Sequence, residues 1–270
     1  MNLLFFQIAV AVYVFAAVGY IVFIVKPELK WPAVAALWGA LCGFVFHLAY
    51  FAFRWSESGR VPITSFFEAA NFLGMGMMSV FLVMEFRFKI PALGAFMLPL
   101  VIVLMAPALV LSGDIQELNP VLKSGWLGVH TSLAALGDSA FAFAFIVSIM
   151  YLIQERQLKA KRRGALFHRL PSLDIMDTLG YRALTLGWPL FTLGMITGSI
   201  WANSAWGTYW SWDPKETWSL ITWVVYLVLL HLRTIGWRGR KMALLTIFGF
   251  SFVLISFYVV SRVHIGKHLF

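Results

Sequence analysis

The sequence has few charged residues and a single cysteine, and both shortages narrow the class of protein. Charged residues make up 12% of the 270 residues, whereas 61% are hydrophobic. The mean hydropathy is +0.83. This composition excludes an ordinary soluble domain, in which about a quarter of the residues are charged. Because Cys42 is the only cysteine, the chain can form neither an internal disulfide nor a Cys-x-x-Cys redox pair.

Long apolar runs are abundant, and most are close to the ~20 residues that a helix needs to cross a bilayer. They lack the alternation of barrel strands, so they predict membrane-spanning helices. The first run has no basic residue before it and no small-residue cleavage site after it, which indicates a retained helix rather than a signal peptide. We therefore predict an all-α polytopic membrane protein, with residues 1–270 forming one transmembrane domain. Its eight predicted helices lie at about 3–25, 32–53, 66–86, 91–112, 126–153, 181–202, 216–234 and 241–261.

Lysine and arginine are distributed unequally between the two sets of connections. Fifteen lie in or beside the connections of one membrane face and six at the other. By the positive-inside rule the first face is cytoplasmic, which places both termini and the tryptophan-rich loop at 203–215 outside. The longest connection, 154–180, is then cytoplasmic. The net charge of +9 is explained by this topology and by contact with anionic lipid of the bilayer, so we predict no nucleic acid partner.

The segment WGTYWSWDPKETW, from Trp206 to Trp218, contains five large aromatic residues within thirteen positions. One or two tryptophans would indicate an aromatic belt at the membrane surface. Five in one connection exceed what anchoring requires, and aromatic linings are typical of ligand sites. The segment therefore favours a flat, apolar, partly charged ligand. Asp213, Pro214 and Glu216 also fit an N-cap, a first-turn proline and a capping-box acid, so we predict that Asp213 caps the next helix.

Three histidines are predicted on the same face as this loop, namely His130, His264 and His268. A single histidine near a membrane face more often makes an interfacial hydrogen bond than binds a metal. Several around an aromatic loop favour iron ligation, for which imidazole is a common ligand. The pattern would suit a planar macrocycle, although spacing alone leaves open whether these segments meet. Asp138 is predicted deep in the fifth helix, where an acid should face a partner or a water-filled cavity.

The sequence from Trp206, WGTYWSWDPKETWSLITWVVYLVLLHLR, resembles the tryptophan-rich segment of haem-handling membrane proteins. Its DPKETW ending and downstream His-x-Arg resemble the CcsA (ResC) family of system II cytochrome c synthases. GRVPITSFFEAANF, WLGVH and the C-terminal histidines add to this resemblance. Members of that family act with a CcsB (ResB) subunit, export haem and attach its vinyl groups to the Cys-x-x-Cys-His motif of apocytochrome c.

The resemblance implies that haem b is the substrate and that His130 and His268 are its external axial ligands. It also implies that His231, near the inner end of the seventh helix, binds an internal haem. The C-terminal sequence departs from the usual family pattern and adds His264, which stays an alternative external ligand. The residues implied to form the outer haem platform are Trp206, Trp210, Trp212 and Asp213.

As a whole, the resemblance implies a subunit of a holocytochrome c synthase (haem lyase) in a bacterial inner membrane, with its tryptophan-rich loop on the periplasmic side. The implied partners are a CcsB/ResB-like membrane subunit and apocytochrome c, because this chain has no CcsB-like part. Two alternatives remain open. One is a haem-binding regulator of the HemX type, which forms no thioether, and the other is a haem or small-molecule transporter without ligation activity.

Overall fold

The computed structural model describes residues 2–26, 28–110, 124–161 and 164–259, and these residues are almost entirely helical. The helices are α1 (Asn2–Val25), α2 (Trp31–Ser58), α3 (Phe66–Phe88), α4 (Gly94–Val110), α5 (Gly125–Lys159), α6 (Ala165–Arg169), α7 (Leu173–Trp206), α8 (Pro214–Thr234) and α9 (Arg240–Leu254). A 3-10 turn at Pro91–Leu93 precedes α4, and a π-helical turn at Ile255–Val259 follows α9. Eight helical stretches are long and apolar enough to cross a membrane, and the described residues contain no strand. The predicted all-α polytopic membrane protein is thus confirmed.

Two long helices, α5 and α7, pack against each other along much of their length. Small residues permit this close approach. A Cβ atom on Gly137 would lie 2.9 Å from Phe191, and one on Gly194 would lie 3.0 Å from the backbone nitrogen of Ala134. Close packing through small residues is the usual way in which membrane helices associate. The α5–α7 pair therefore forms a rigid frame on which side chains can be placed accurately.

The predicted cytoplasmic connection at 154–180 is shorter than expected. Helix α5 continues to Lys159, α7 already begins at Leu173, and the short helix α6 lies between them. Lys159 forms an i,i+4 ion pair with Glu155 at 2.7 Å. The Ser172 hydroxyl accepts a hydrogen bond from the backbone nitrogen of Ile175 and caps α7. Hydropathy marks where a helix leaves the apolar layer, whereas polar helical turns continue beyond it.

The tryptophan-rich connection is likewise shorter than the predicted 203–215. Helix α7 extends through Trp206, and α8 begins at Pro214, which leaves 207–213 as the non-helical loop. Gly207 ends α7 in the left-handed conformation, with φ of 74°, and donates its N–H to the carbonyl of Asn203. Glycine is the residue that ends a helix in this way most readily. We call the end of the bundle that carries this loop the loop end.

Candidate functional site

A cavity of about 230 Å³ lies at the loop end, between α3, α5, α7, α8, the 207–213 loop and the turn after α9. On α5 its lining residues run from Leu127 to Asp138, and on α7 from Phe191 to Ala202. Each stretch spans eleven helical steps, so the cavity extends roughly 16 Å along the bundle at 1.5 Å per residue. Its walls are mainly apolar and aromatic, with a few polar groups. This combination is typical of a small-molecule site.

His130, on α5, lines this cavity. Its Nδ1 lies 2.7 Å from the carbonyl oxygen of Gly194 on α7. Because a carbonyl can only accept, Nδ1 must carry the proton, and the lone pair of the neutral ring is then on Nε2. A histidine that binds a metal through Nε2 is commonly oriented by just such a hydrogen bond from its other nitrogen. The geometry therefore presents the nitrogen suited to an iron ligand.

Gly198, one helical turn beyond Gly194, makes room for the His130 ring. A Cβ atom at Gly198 would lie 2.7 Å from Nδ1 of His130. The spacing of these two glycines predicts close helix packing, and in the structure they also seat the imidazole. Sequence analysis missed this second role, because the spacing of the glycines does not show which side chain fills the space above them.

Tryptophans of the loop end form one wall of the cavity. Trp210 lines the cavity directly, and the ring of Trp212 packs edge-on against it with centroids 5.8 Å apart. Trp206 packs in the same manner, at 4.8 Å, against Trp201, which is buried and also lines the cavity. The structure thus brings Trp206, Trp210 and Trp212 to the same region, and of these three Trp210 contacts the cavity directly. Trp201 was not predicted, because it lies within the preceding apolar helix.

Trp212 has an unusual backbone conformation for so large a residue. Its φ is 57°, in the left-handed region, and its side chain is 69% exposed. Non-glycine residues in this region are strained by roughly 1–3 kcal/mol, and such strain is found preferentially at functional sites. The loop therefore holds an indole at the surface at an energetic cost, which favours a role in contact with a ligand or partner.

Asp213 is the N-cap of α8, as predicted. Its Oδ1 accepts a hydrogen bond of 2.9 Å from the backbone nitrogen of Lys215. Glu216 completes the capping box and accepts hydrogen bonds from the backbone nitrogens of Ser211 and Asp213. Asp213 is only 6% exposed, and it contributes to the site by fixing the turn that carries Trp210 and Trp212.

A buried ionic cluster supports the opposite rim of the cavity. The carboxylate of Glu68 accepts hydrogen bonds from Arg54 Nε at 2.9 Å, from Arg60 Nη1 at 2.8 Å and from the backbone nitrogen of Thr64 at 3.0 Å. Arg54 and Glu68 are almost completely buried. Thr64 and the neighbouring Ile63 line the cavity. The spacing of Ser65 and Glu68 predicts a capping box at the start of α3, which the structure confirms, but it does not predict the ion pairs of Glu68. Arg54, a charge at the end of an apolar helix, was the signal that a buried partner exists.

Asp138 lies at the deep end of the cavity, which agrees with the prediction that it faces a cavity or a partner. Its Oδ1 is buried and accepts no hydrogen bond from the described residues. A buried carboxylate oxygen without a donor costs free energy, and an ionisable residue within a membrane usually has a functional role.

His231 lies far from this cavity. It is exposed on α8, seventeen positions after Pro214, which corresponds to about 26 Å along the helix. The structure therefore places His231 well away from His130. His264 and His268 lie outside the described residues.

These features define a class, namely a multi-pass α-helical membrane protein with a histidine- and tryptophan-lined cavity at one end of its bundle. The family model described as cytochrome C assembly protein matches residues 64–268. The chain belongs to this family, and the resemblance stated from its sequence is confirmed.

Relatives with the name cytochrome c biogenesis protein CcsA support the same assignment. One from Prochlorococcus marinus is 36% identical over 240 residues, covering 80% of this chain and 78% of the relative. One from Guillardia theta is 37% identical over 235 residues, with the same coverage of 80% and 78%. One from Microcystis aeruginosa is 35% identical over 264 residues and covers 80% of each chain.

Among solved structures, the cytochrome c haem lyase CcmF has a similar fold, with a TM-score of 0.66 at 16% sequence identity. The similarity covers 96% of this chain but only 45% of CcmF. This chain therefore corresponds to less than half of that protein. At this level of identity, the comparison shows a shared fold.

Proposed function

We propose that this chain is the haem-handling membrane subunit of a system II cytochrome c synthase. In this role it exports haem b and presents it for thioether attachment to the Cys-x-x-Cys-His motif of apocytochrome c. The observation that carries the proposal is the His130 imidazole, oriented by Gly194 and placed in the same cavity as Trp210. An imidazole ligand beside an indole wall matches the two needs of a haem, an axial ligand for iron and an apolar surface for the macrocycle.

In the proposed mechanism, the chain mainly binds and positions its substrates. His130 ligates the iron from one side, and His268 ligates it from the other, with His264 as the alternative. The cavity of about 230 Å³ is smaller than the roughly 300–1,000 Å³ typical of sites that enclose drug-sized ligands. A macrocycle in it is therefore only partly enclosed, and its remaining edge stays accessible to apocytochrome c.

The chemical step then needs no general base from this chain. Each cysteine thiol of apocytochrome c adds across one vinyl group, so that a carbon–sulfur bond forms and the thiol hydrogen passes to the other vinyl carbon. The histidine of the apocytochrome motif replaces one of the axial ligands of the synthase. Fixing the haem relative to the incoming thiols is the main catalytic contribution.

The exposed His231 supports a second, internal haem site near the cytoplasmic side. We propose that a CcsB/ResB-like subunit covers this surface of α8 and supplies the opposite ligand. Haem would enter there and move to the loop end. In this arrangement the protein is in a bacterial inner membrane, with 207–213 on the periplasmic side and both termini outside.

The test is the absorption spectrum of the purified chain, co-expressed with a CcsB-like subunit, in the wild type and in His130→Ala. We expect the variant to lose most of the haem from the loop end and to stop maturing cytochrome c, with partial recovery when imidazole is added. His168→Ala is the matched control, because His168 is exposed on α6, at the other end of the bundle. Normal maturation by His130→Ala would contradict the proposal. Haem binding without thioether formation in the wild type would instead favour the HemX-type regulator or the transporter.

The second axial ligand can be assigned with the same assay. His268→Ala should lose haem and maturation, whereas His264→Ala should keep most of both, because the family places its ligand near the chain end. The opposite result would assign the ligand to His264. Two active single variants would mean that the histidines substitute for each other.

A further inference from the structure

Besides Tyr209, four ionisable side chains of the described residues line the cavity at the loop end, namely His130, Asp138, Lys215 and Glu216. They differ in how many hydrogen bonds or ion pairs they already form within the protein. His130 donates to Gly194, and Glu216 accepts hydrogen bonds from Ser211 and Asp213. Asp138 lies at the deep end, away from the mouth. Lys215, the second residue of α8, is the cation at the mouth, and its side chain is exposed.

No carboxylate of the described residues lies within ion-pair distance, 4.0 Å, of the Lys215 ammonium. Two acids at this end of the bundle have other hydrogen-bond partners, although Asp213 also attracts the Lys215 charge without forming an ion pair. Glu68 is held by Arg54 and Arg60, and Asp213 caps α8 by accepting the backbone N–H of Lys215. Lys215 therefore offers a positive charge to the cavity mouth that the described part of the protein does not neutralise by an ion pair.

We propose that Lys215 binds a carboxylate substituent of the haem and so fixes the rotation of the macrocycle in its plane. This inference rests on the proposed function. Haem b carries two propionate groups on one half of its ring and two vinyl groups on the other half. An ammonium group at the mouth forms a charge-assisted hydrogen bond with a propionate.

The charge of Lys215 therefore acts on the orientation of the haem. The propionate half turns towards Lys215, and the vinyl half turns away from it. Because His130 fixes the iron and Lys215 fixes one edge, two points on the macrocycle are held, and a planar ligand held at two points can no longer rotate about its axial bond. Such a restriction would determine which edge of the haem carries the vinyl groups when the cysteines of the substrate approach.

A lysine at a membrane face can also bind lipid phosphate, which is the same anionic chemistry from another source. The experiment separates the two by changing only the haem. Haem and its dimethyl ester, in which both propionates are neutral, are titrated into the purified protein in nanodiscs made of zwitterionic lipid. Binding at the loop end is followed by the Soret band in a His231→Ala background, which removes the internal ligand.

We expect wild-type Lys215 to favour haem over the dimethyl ester by about tenfold or more, because a hydrogen bond to a charged group contributes on that scale. Lys215→Met should lose this preference while retaining its affinity for the ester. Lys215→Arg should keep it. Lys26→Met is the matched control, since Lys26 is an exposed lysine on the connection between α1 and α2, and it should behave as wild type.

Several results would overturn the inference. The first is an unchanged preference for haem over the ester in Lys215→Met. The second is an equal loss of affinity for both ligands in that variant, which would show a merely structural role. The third is a wild-type protein that does not distinguish the two ligands, as expected if Lys215 binds lipid. Failure of the proposed function itself would give a different result. In that case the wild-type protein would show no His130-dependent Soret band with either haem or its dimethyl ester.

Discussion

His130 on α5 and Gly194 on α7 are joined by a hydrogen bond of 2.7 Å between the imidazole Nδ1 and the backbone carbonyl oxygen. The acceptor belongs to the backbone, so its position depends on the packing of the two helices rather than on a mobile side chain. This contact fixes both the tautomer and the direction of the ring. The α5–α7 frame is therefore part of the candidate haem site, although it consists mainly of small apolar residues.

Gly198→Ala should displace the His130 ring without changing the chemistry of any ligand. The new Cβ would lie 2.7 Å from Nδ1, a distance that real Cβ contacts do not tolerate, so the ring must move. Because iron ligation needs accurate placement, we expect haem content per protein to fall several-fold in the absorption spectrum. Gly125→Ala is the matched control, since a Cβ there meets no atom within 4 Å. Equal haem content in the two variants would show that the site tolerates the shift.

Trp212 allows strain and function to be measured separately. Both Trp212→Gly and Trp212→Ala remove the indole, but only glycine adopts a φ of 57° without strain. We expect the glycine variant to be more stable than the alanine variant by about 1 kcal/mol in equilibrium unfolding, since the left-handed conformation costs other residues roughly that amount.

Both Trp212 variants should show the same reduced haem content, because the strained backbone serves to present the ring. Wild-type haem content in both variants would mean that the indole only anchors the loop in the membrane. A glycine variant that is less stable than the alanine variant would contradict backbone strain at Trp212.

The fold was largely predictable, because transfer of an apolar helix into lipid depends on composition and length alone. The ends of α5 and α7 were wrong by six to eight residues at the polar side, where hydrogen bonding within the helix continues after the apolar run ends. The cap at Asp213 was predictable, since capping is local and its residues are close in sequence.

The site was predictable only in part. Topology placed His130 and Trp210 on the same membrane face. Residues on one face can still be far apart, because hydropathy does not show which helices are neighbours. The contacts of Gly198 with His130 and of Arg54 with Glu68 depend on which helix packs against which. Lys215 was missed for a similar reason, because its direction into the cavity follows from the tight 207–213 turn.

The orientation of the bundle remains a prediction from charge, and cysteine labelling can test it. In a Cys42→Ser background, Thr208→Cys and His168→Cys place single thiols at exposed positions at the two ends of the bundle. A membrane-impermeant maleimide added to intact spheroplasts should label Thr208→Cys and leave His168→Cys unlabelled until the membrane is opened. The reverse pattern would invert the topology and move the candidate haem site to the cytoplasmic side.

The last prediction concerns Asp138, whose buried Oδ1 lacks a hydrogen-bond donor among the described residues. Replacing such a group with an apolar one of similar size removes a desolvation cost of roughly 1–3 kcal/mol. Asp138→Leu should therefore have a thermal unfolding midpoint equal to or above that of the wild type. Because the carboxylate lines the cavity, the same variant should nevertheless mature less cytochrome c.

Glu85 provides the matched control for Asp138. Its Oε2 is also buried without a donor among the described residues, but it lies near the other end of α3 and does not line the cavity. Glu85→Leu should keep its activity, and its gain in stability should be smaller, because it also removes the hydrogen bond that the Ile90 backbone donates to Glu85. Asp138→Asn should be as stable as the wild type with intermediate activity. If Asp138→Leu is both more stable and fully active, the carboxylate has no role in the site. If both leucine variants lose activity equally, the loss reflects buried charge in general rather than the cavity.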